Sequence, residues 1–309
     1  MKQEQQENLF LSDFDLENGK RWDNHKFSSE KVSFYYLSSS KTSHKKYSMR
    51  VSQCSEYLSF KFQNFNDTKK LKLKKASFCR VRLCPVCQWR RSMAWRGRLF
   101  KKLPSLIQDT NYNFLFLTLT VKNCEIFDLS KTLKDMNSAW NRLRLRKEFG
   151  VVRGFIRATE VTKSNLMAHP HFHVILAVNG SYFKSKNYLK QKDWQKLWKE
   201  SCRLDYDPVV DVRKIKVKEG VMETRAIIET LKYTTKVSDL LEDKGWFLCL
   251  SDQLKNKRFL STGGCFKSIL KEDLSNSEMI DECSEEDFEE DVELFFNWDR
   301  GFNKYKKVR

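Results

Sequence analysis

Long apolar stretches are missing from this sequence. No run approaches the roughly 18 consecutive apolar residues that a membrane span needs, and residues 1–15 lack the apolar run of a signal peptide. We therefore expect a cytoplasmic protein with no membrane partner. In a reducing compartment, nine cysteines, an odd number, argue against a disulfide framework and favour metal binding or buried thiols.

Acidic side chains are in the minority. The chain has 58 Lys and Arg against 40 Asp and Glu, for a formal net charge of +18 over 309 residues. Because residues 271–300 alone hold 13 acidic and 2 basic side chains, the rest of the chain is more basic than the average. A body this basic indicates a polyanionic partner, and nucleic acid is the usual one.

Composition divides the chain into four predicted segments. Residues 1–50 are polar and suggest a partly ordered N-terminal arm, and residues 51–105 are rich in Cys, Lys, Arg and Trp, which predicts a small basic module. Residues 106–270 form the predicted main domain. We expect residues 271–309, with their acidic run, to be a solvated tail.

The main domain alternates strand and helix patterns. Strands are predicted over 113–121, 151–161, 171–178 and 208–217, and helices after Ser130, over 193–202 and over about 222–237. The second and third strands form an antiparallel hairpin. The order β-α-β-β-α-β-α predicts an α+β fold with a ferredoxin-like or RRM-like antiparallel sheet of four to five strands and helices on one face.

Three of the five histidines lie together in HPHFHV, as His169, His171 and His173. Because strand side chains alternate in direction, His171 and His173 point the same way, and Phe172 points into the opposite layer. Two adjacent imidazoles and a carboxylate suit a divalent cation such as Mn²⁺ or Mg²⁺. The third ligand is either Glu160, on the preceding strand, or His169.

A second group of residues falls in AIIETLKYTTK, residues 226–236. On a continuous helix Glu229, Tyr233 and Lys236 would project from one face. A tyrosine hydroxyl near a divalent metal and a lysine can act as a nucleophile towards a phosphodiester. A tyrosine on an amphipathic helix is more often a packing residue, so this interpretation depends on the histidine strand.

Cys79, Cys84 and Cys87 have the spacing of zinc ligands but need a fourth. Cys54 is the preferred fourth ligand, and His44 is the second choice. Such a structural zinc would stabilise a module too small to build a large core. Three reduced cysteines without metal are the alternative.

Arginines surround these cysteines and alternate with two tryptophans. Guanidinium groups for phosphates and indoles for stacking are the ingredients of a DNA-binding surface, although Trp89 and Trp95 could equally form a core. The predicted DNA-binding arginines are Arg80, Arg82, Arg90, Arg91, Arg96 and Arg98.

The motifs FLTLT, HPHFHV and E-x₃-Y-x₂-K, in this order, resemble the three motifs of the HUH endonucleases, in particular the rolling-circle replication initiators of small plasmids. CRVRLCPVCQWRRS is similar to the Cys-rich stretch ahead of their catalytic domain. The resemblance covers about residues 54–265 and implies that 106–270 is an HUH endonuclease domain acting on plasmid origin DNA.

The resemblance also implies a role for each site residue. Tyr233 would cleave origin DNA, leaving a 5′-phosphotyrosyl adduct and a free 3′-OH that a host polymerase, assisted by a host helicase, extends. His171 and His173 match the metal-binding pair. Glu229 fits the acidic residue that activates water for the terminating cleavage, and Lys236 would steady the phenolate or the phosphate.

Two other functions compete with this interpretation. A transposase that moves DNA through single strands, with its own N-terminal zinc module, has related motifs, although the chain is short for one. A zinc-containing DNA-binding regulator without catalytic activity is the other, and the intact His171, His173, Glu229 and Tyr233 speak against it.

Overall fold

The computed structural model describes residues 9–65, 68–218, 221–232, 234–267, 269–270, 273–280 and 293–308. The fold is a mixed α+β structure with antiparallel sheets of four and five strands, as the class prediction required. The larger elements are α1 (Leu11–Phe14), α2 (Leu16–Leu37), α3 (Thr42–Ser52), β1 (Tyr57–Phe65), β2 (Thr68–Ala76), α4 (Pro85–Asp109), β3 (Tyr112–Thr120), α5 (Leu129–Arg144), β4 (Val152–Ser164), β5 (Met167–Asn179), α6 (Gln191–Cys202), β6 (Val210–Ile215), β7 (Val217–Lys218), β8 (Val221–Met222), α7 (Thr224–Thr230), α8 (Val237–Glu242), α9 (Lys244–Gln253), β9 (Leu260–Gly264), α10 (Asn276–Ile280), β10 (Glu293–Asp299) and β11 (Lys304–Lys307).

The chain divides into two compact units, the first made of Met1–Ala94 with Leu274–Arg309 and the second of Trp95–Asp273. This division differs from the predicted segments at both ends. Residues 11–52 form three helices rather than a partly ordered arm, because α2 buries apolar side chains. Residues 293–307 form two strands rather than a solvated tail, whereas the acidic run over 281–292 lies outside the described residues.

The first unit has a four-stranded antiparallel sheet in the order β11-β10-β1-β2. In β10 every second residue is buried, so that Phe296 packs edge-on against Phe60 with ring centroids 5.9 Å apart. Trp22 of α2 packs edge-on against Phe60 and Tyr305. Aromatic packing of helix on sheet therefore forms this core.

The second unit has a five-stranded antiparallel sheet in the order β6-β3-β5-β4-β9. The four strands that were predicted all form, and β4 and β5 make the predicted hairpin. On one face, Phe172 of β5 contacts Trp140 of α5 and Trp198 of α6. The opposite face is left for the side chains of His171 and His173, as the alternation predicted.

The helix predicted over about 222–237 is interrupted. α7 ends at Thr230, and α8 begins at Val237. Between them the carbonyl of Thr234 accepts a hydrogen bond from the Val161 N–H of β4 (2.9 Å). This backbone pairing with the sheet replaces the continuation of the helix.

In the described part of the chain, no helix combines the length and the apolar character that crossing a bilayer requires.

Candidate functional site

The register of the central hairpin assembles a cluster of three side chains. Glu160 of β4 pairs with His171 of β5, and Ala158 pairs with His173. Because paired residues share a face of the sheet, the carboxylate of Glu160 and both imidazoles project to the side away from α5 and α6. The small side chain of Ala158 leaves room for the two imidazole rings. We call Glu160, His171 and His173 the hairpin cluster.

One carboxylate oxygen is the centre of the hairpin cluster. Glu160 Oε2 lies 2.9 Å from His171 Nε2 and 2.9 Å from His173 Nε2. All three residues are buried, and Glu160 is only 2% exposed. Glu160 Oε1 is also buried and has no hydrogen-bond partner. Leaving a buried acceptor without a partner costs free energy, so a cation bound to this oxygen would stabilise it.

Hydrogen bonds behind the imidazoles aim them at the carboxylate. His171 Nδ1 lies 3.2 Å from the carbonyl of His169, which can only accept, so Nδ1 donates to it. The Nε2 of His171 thereby faces Glu160. His173 Nδ1 lies 3.3 Å from Thr118 Oγ1, and burial lowers the pKa of His173 and favours its neutral form.

This donor set fits a divalent metal. Two imidazole nitrogens and one carboxylate oxygen, each backed by a further hydrogen bond or charge, are ligands that such ions take. The ligand atoms of the hairpin cluster all lie within 4.8 Å of one another. The hairpin cluster can therefore hold a metal ion.

Glu229 and Lys232 extend the hairpin cluster. Lys232 Nζ lies 2.8 Å from Glu160 Oε2 and 2.7 Å from Glu229 Oε1, and Glu229 Oε1 lies 3.6 Å from His173 Nε2. Burial alone would raise the pKa of Glu160, but the hydrogen bonds from His171, His173 and Lys232 outweigh it and hold that pKa well below its usual value.

The same contacts set the charges of the other two groups. Burial alone would raise the pKa of Glu229, but the hydrogen bond and the charge of Lys232 outweigh burial and lower that pKa, so Glu229 is ionised at neutral pH. Burial would lower the pKa of Lys232, but its two carboxylate partners raise it. The side chain of Glu229 remains 38% exposed, and a substrate can reach it.

α7 ends at Thr230, so Lys236 does not share one helix face with Glu229 as predicted. Tyr233 lies outside the described residues. Lys236 is the exposed N-cap residue of α8. The lysine that contacts the hairpin cluster is Lys232, for which the sequence predicted no role, although its spacing of three from Glu229 was a signal for one.

His169, the other candidate for the third metal ligand, is not among the converging ligand atoms of the cluster. Its Nδ1 lies 2.6 Å from Asn123 Oδ1. Its ring centroid is 5.1 Å from that of His171, so it is a neighbour of the cluster. The geometry thus brings Glu160 to the histidine pair and turns His169 towards Asn123.

The first unit contains a second potential metal site. The Sγ atoms of Cys54, Cys79, Cys84 and Cys87 all lie within 4.8 Å of one another. Backbone N–H groups of Cys79 and Val81 donate to Cys54 Sγ and Cys79 Sγ, both at 3.4 Å, as is usual around metal-bound thiolates.

Four convergent sulfurs are the donor set of a structural zinc site. The alternative fourth ligand, His44, instead places Nδ1 2.8 Å from Ser39 Oγ. Cys124, Cys202, Cys249 and Cys265 form no disulfide bond, whereas Cys283 lies outside the described residues.

The arginines of this segment have different environments. Arg90, predicted to bind DNA, is 2% exposed, and its Nε and Nη2 donate to the carbonyl of Met279 at 2.9 and 2.7 Å. Its guanidinium therefore binds the backbone of α10. Trp89 and Trp95 are buried core residues rather than a stacking surface.

The remaining arginines stay closer to the surface. Arg80 is exposed and contacts Asn276, and Arg91 donates to the carbonyl of Arg80. Arg82, Arg96 and Arg98 are half-buried.

Comparisons with known proteins agree on one family. The chain is 36% identical over 291 residues to a Protein rep of Bacillus amyloliquefaciens, covering 83% of each chain. It is 38% identical over 238 residues to a Protein rep of Streptococcus pneumoniae, covering 74% of this chain and 73% of the relative. No solved structure matches the chain. A family model described as "Replication protein" matches residues 70–306, and the chain belongs to this family of Rep replication initiators.

Proposed function

We propose that this replication initiator starts rolling-circle replication of a plasmid by nicking one strand of the origin with Tyr233. The observation that carries the proposal is the hairpin cluster of Glu160, His171 and His173 with Glu229 and Lys232 beside it. The order of β6, β3, β5 and β4 is that of a ferredoxin-like sheet, which supports an HUH endonuclease fold.

The hairpin cluster would hold Mn²⁺ or Mg²⁺, and the bound ion would polarise the scissile phosphate. Glu160 keeps its negative charge, and His173 stays neutral at physiological pH, so both are in the form that binds a cation. Lys232, charged and half-buried, supplies a second positive group for a phosphate oxygen or a phenolate. This is the role that the sequence analysis gave to Lys236.

The residues before and after Tyr233 in the chain both contact β4, at Glu160 and Val161. Lys232 contacts Glu160, and the carbonyl of Thr234 accepts from the Val161 N–H. In the proposed reaction the Tyr233 oxygen forms a bond to phosphorus as the bond to the 3′ oxygen breaks. The phenol gives up its proton, the leaving oxygen gains one, and the products are a 5′-phosphotyrosine and a free 3′-OH.

Glu229 would serve the terminating step. One tyrosine can be consumed only once per adduct, so a second cleavage needs another nucleophile. Glu229 is ionised and partly exposed, and it can accept a proton from an attacking water. A host helicase and polymerase would act between the two cleavages.

The first unit would bind duplex origin DNA, with its four-cysteine site holding zinc. Exposed Arg80, with Arg82 and Arg91, remains the proposed set of phosphate contacts of this unit, and Arg90 is removed from it because it is buried. Arg96 and Arg98, which belong to the second unit, stay proposed DNA-binding residues.

The test uses single-stranded oligonucleotides tiled from the DNA that flanks the gene, labelled at the 5′ or the 3′ end and incubated with the full chain and Mn²⁺. Adducts that survive SDS are separated on a denaturing gel. We expect one tile to give an adduct and a product with a free 3′-OH. Tyr233→Phe should abolish both and leave DNA binding intact, because it removes one oxygen and no packing volume.

The matched control is Tyr188→Phe, which changes an exposed tyrosine of the same unit and should nick normally. Nicking by Tyr233→Phe would remove that residue as the nucleophile. No adduct with any tile, despite tight duplex binding, would favour a non-catalytic DNA-binding regulator.

A further inference from the structure

A cavity of about 420 Å³ opens beside the hairpin cluster. Its walls come from the end of β3, the loop after it and the segment before β6. The residues that matter for its chemistry are Thr120, Lys122, Asn123, His169, Tyr206 and Val209.

The cavity is the continuation of the site along β5. Thr120, the last residue of β3, pairs with His171. His169 is the next residue of β5 on the same face, about 6.6 Å further along the strand. Because β3 has ended there, His169 meets the loop after β3, where its Nδ1 lies 2.6 Å from Asn123 Oδ1, and both residues line the cavity.

The lining favours a flat, neutral group with polar edges. The walls are mostly apolar, and they include the ring of Tyr206 and Val209, which is 71% exposed. Asn123 and His169 provide hydrogen-bonding groups at the side nearest the hairpin cluster. Asp207, whose carboxylate pairs with Lys199 Nζ at 2.8 Å, and Lys122 also line the cavity, so its walls carry one charge of each sign.

Tyr206 is held in place before any ligand arrives. The backbone N–H of Lys122 donates to Tyr206 Oη (2.9 Å), and Lys122 Nζ lies 4.1 Å from the ring centroid. A fixed aromatic ring loses little conformational entropy on binding and is a good stacking surface for a base.

We propose that this cavity binds one nucleobase of the cleaved strand, next to the phosphate at the hairpin cluster, with Tyr206 as its stacking wall and Asn123 and His169 at its polar edge. The proposal rests on the proposed nicking function for the identity of the strand. It makes Tyr206 a specificity-determining residue, because a base stacked there fixes which phosphate reaches Glu160, His171 and His173.

The test measures binding rather than cleavage. Fluorescein-labelled single-stranded tiles are titrated with protein in the Tyr233→Phe background, which cannot form an adduct, and the dissociation constant is read from anisotropy. In the tile bound most tightly, each nucleotide is then replaced in turn by an abasic site. Stacking energies of bases on aromatic side chains correspond to a loss of about tenfold in affinity.

We expect one abasic position to weaken binding about tenfold and Tyr206→Ala to weaken binding of the intact tile by a similar factor. Combining the two should add nothing, because each removes the same contact. Tyr206→Phe should keep most of the affinity, since it retains the ring. Tyr188→Ala, which removes an exposed tyrosine outside the cavity, is the matched control and should bind normally.

If Tyr206→Ala weakened binding of every abasic tile by the same factor, or did not weaken binding at all, the proposal would be overturned. If the tile is also nicked by the unmodified chain, the coupled position must fall within two nucleotides of the nick, and a more distant position would overturn it too. Coupling at one position without any nicking would leave the base site standing and refute the nicking function.

Discussion

Glu160→Gln is the substitution that tests the hairpin cluster most directly. It keeps the size of the side chain and removes the charge that faces His171, His173 and Lys232. An amide cannot accept from all of them and also bind a cation through a charged oxygen. We expect the affinity for Mn²⁺ to fall on the order of a hundredfold, at least as much as the loss of a supporting hydrogen bond behind a metal ligand produces.

The size of the effect follows from ligand linkage. With Mn²⁺ at about a hundred times its dissociation constant, the native state gains about 2.7 kcal/mol. For a unit the size of Trp95–Asp273, that corresponds to a rise in melting temperature of about 5–11 °C. In Glu160→Gln, the same Mn²⁺ concentration is close to the new dissociation constant, so the gain drops to about 0.4 kcal/mol and the rise to about 1 °C.

Calorimetric melting with and without Mn²⁺ measures this difference. Glu125→Gln is the control, because it makes the same chemical change at an exposed position of the same unit and should keep the full rise. His171→Ala and His173→Ala should behave like Glu160→Gln. If Mn²⁺ raised the melting temperature of Glu160→Gln by more than about 5 °C, the ion would bind elsewhere, and the assignment of the hairpin cluster as the metal site would be refuted.

Glu229→Ala should form the Tyr233 adduct but accumulate it, and closed circles released at the normal rate would remove its role as a base. Because burial lowers the pKa of His173 below its ordinary 6.5, Mn²⁺ binding measured by titration calorimetry should not be lost through this histidine until the pH is below that value. Loss of Mn²⁺ binding already near pH 7 would contradict this. The purified chain should carry one zinc by elemental analysis, and Cys79→Ser should lose it while Cys265→Ser retains it; a metal-free native chain would leave four thiols as packing residues. Arg90→Met should lower the free energy of unfolding by about 2–4 kcal/mol, since it leaves two buried carbonyls without a donor, and an unchanged denaturant midpoint would show that this arginine is dispensable.

The strands of the second unit could be predicted because their pattern is local. Alternation in HPHFHV placed Phe172 and the His171–His173 pair on opposite faces, and the hairpin register then brought Glu160 opposite His171. The strand β10 near the C-terminus had a comparable signal, since the buried Leu294, Phe296 and Trp298 alternate with less buried residues, of which all but Phe295 are polar. The acidic composition of the preceding run hid it, because average charge says nothing about which side chains face inward.

The end of α7 could not be predicted in the same way. Helical periodicity shows which residues share a face, but it does not show whether a backbone carbonyl has a better partner elsewhere. Thr234 finds one in the Val161 N–H of β4, a residue 73 positions earlier in the chain. Arg90 was misassigned for a related reason, because its carbonyl partners at Met279 and Ile280 are remote in sequence.

The early end of α7 also explains why the lysine at the site is Lys232. Glu160 and Glu229 both keep their negative charges, and two carboxylates in a half-buried site repel each other unless a cation lies between them. Lys232 Nζ fills that place, at 2.8 and 2.7 Å from the two. With neutral imidazoles the group then carries one net negative charge, and a divalent ion turns this into one net positive charge. A site of that charge attracts a phosphodiester and is neutralised by it, whereas the same site without Lys232 would be neutral after binding the ion and would lack this attraction.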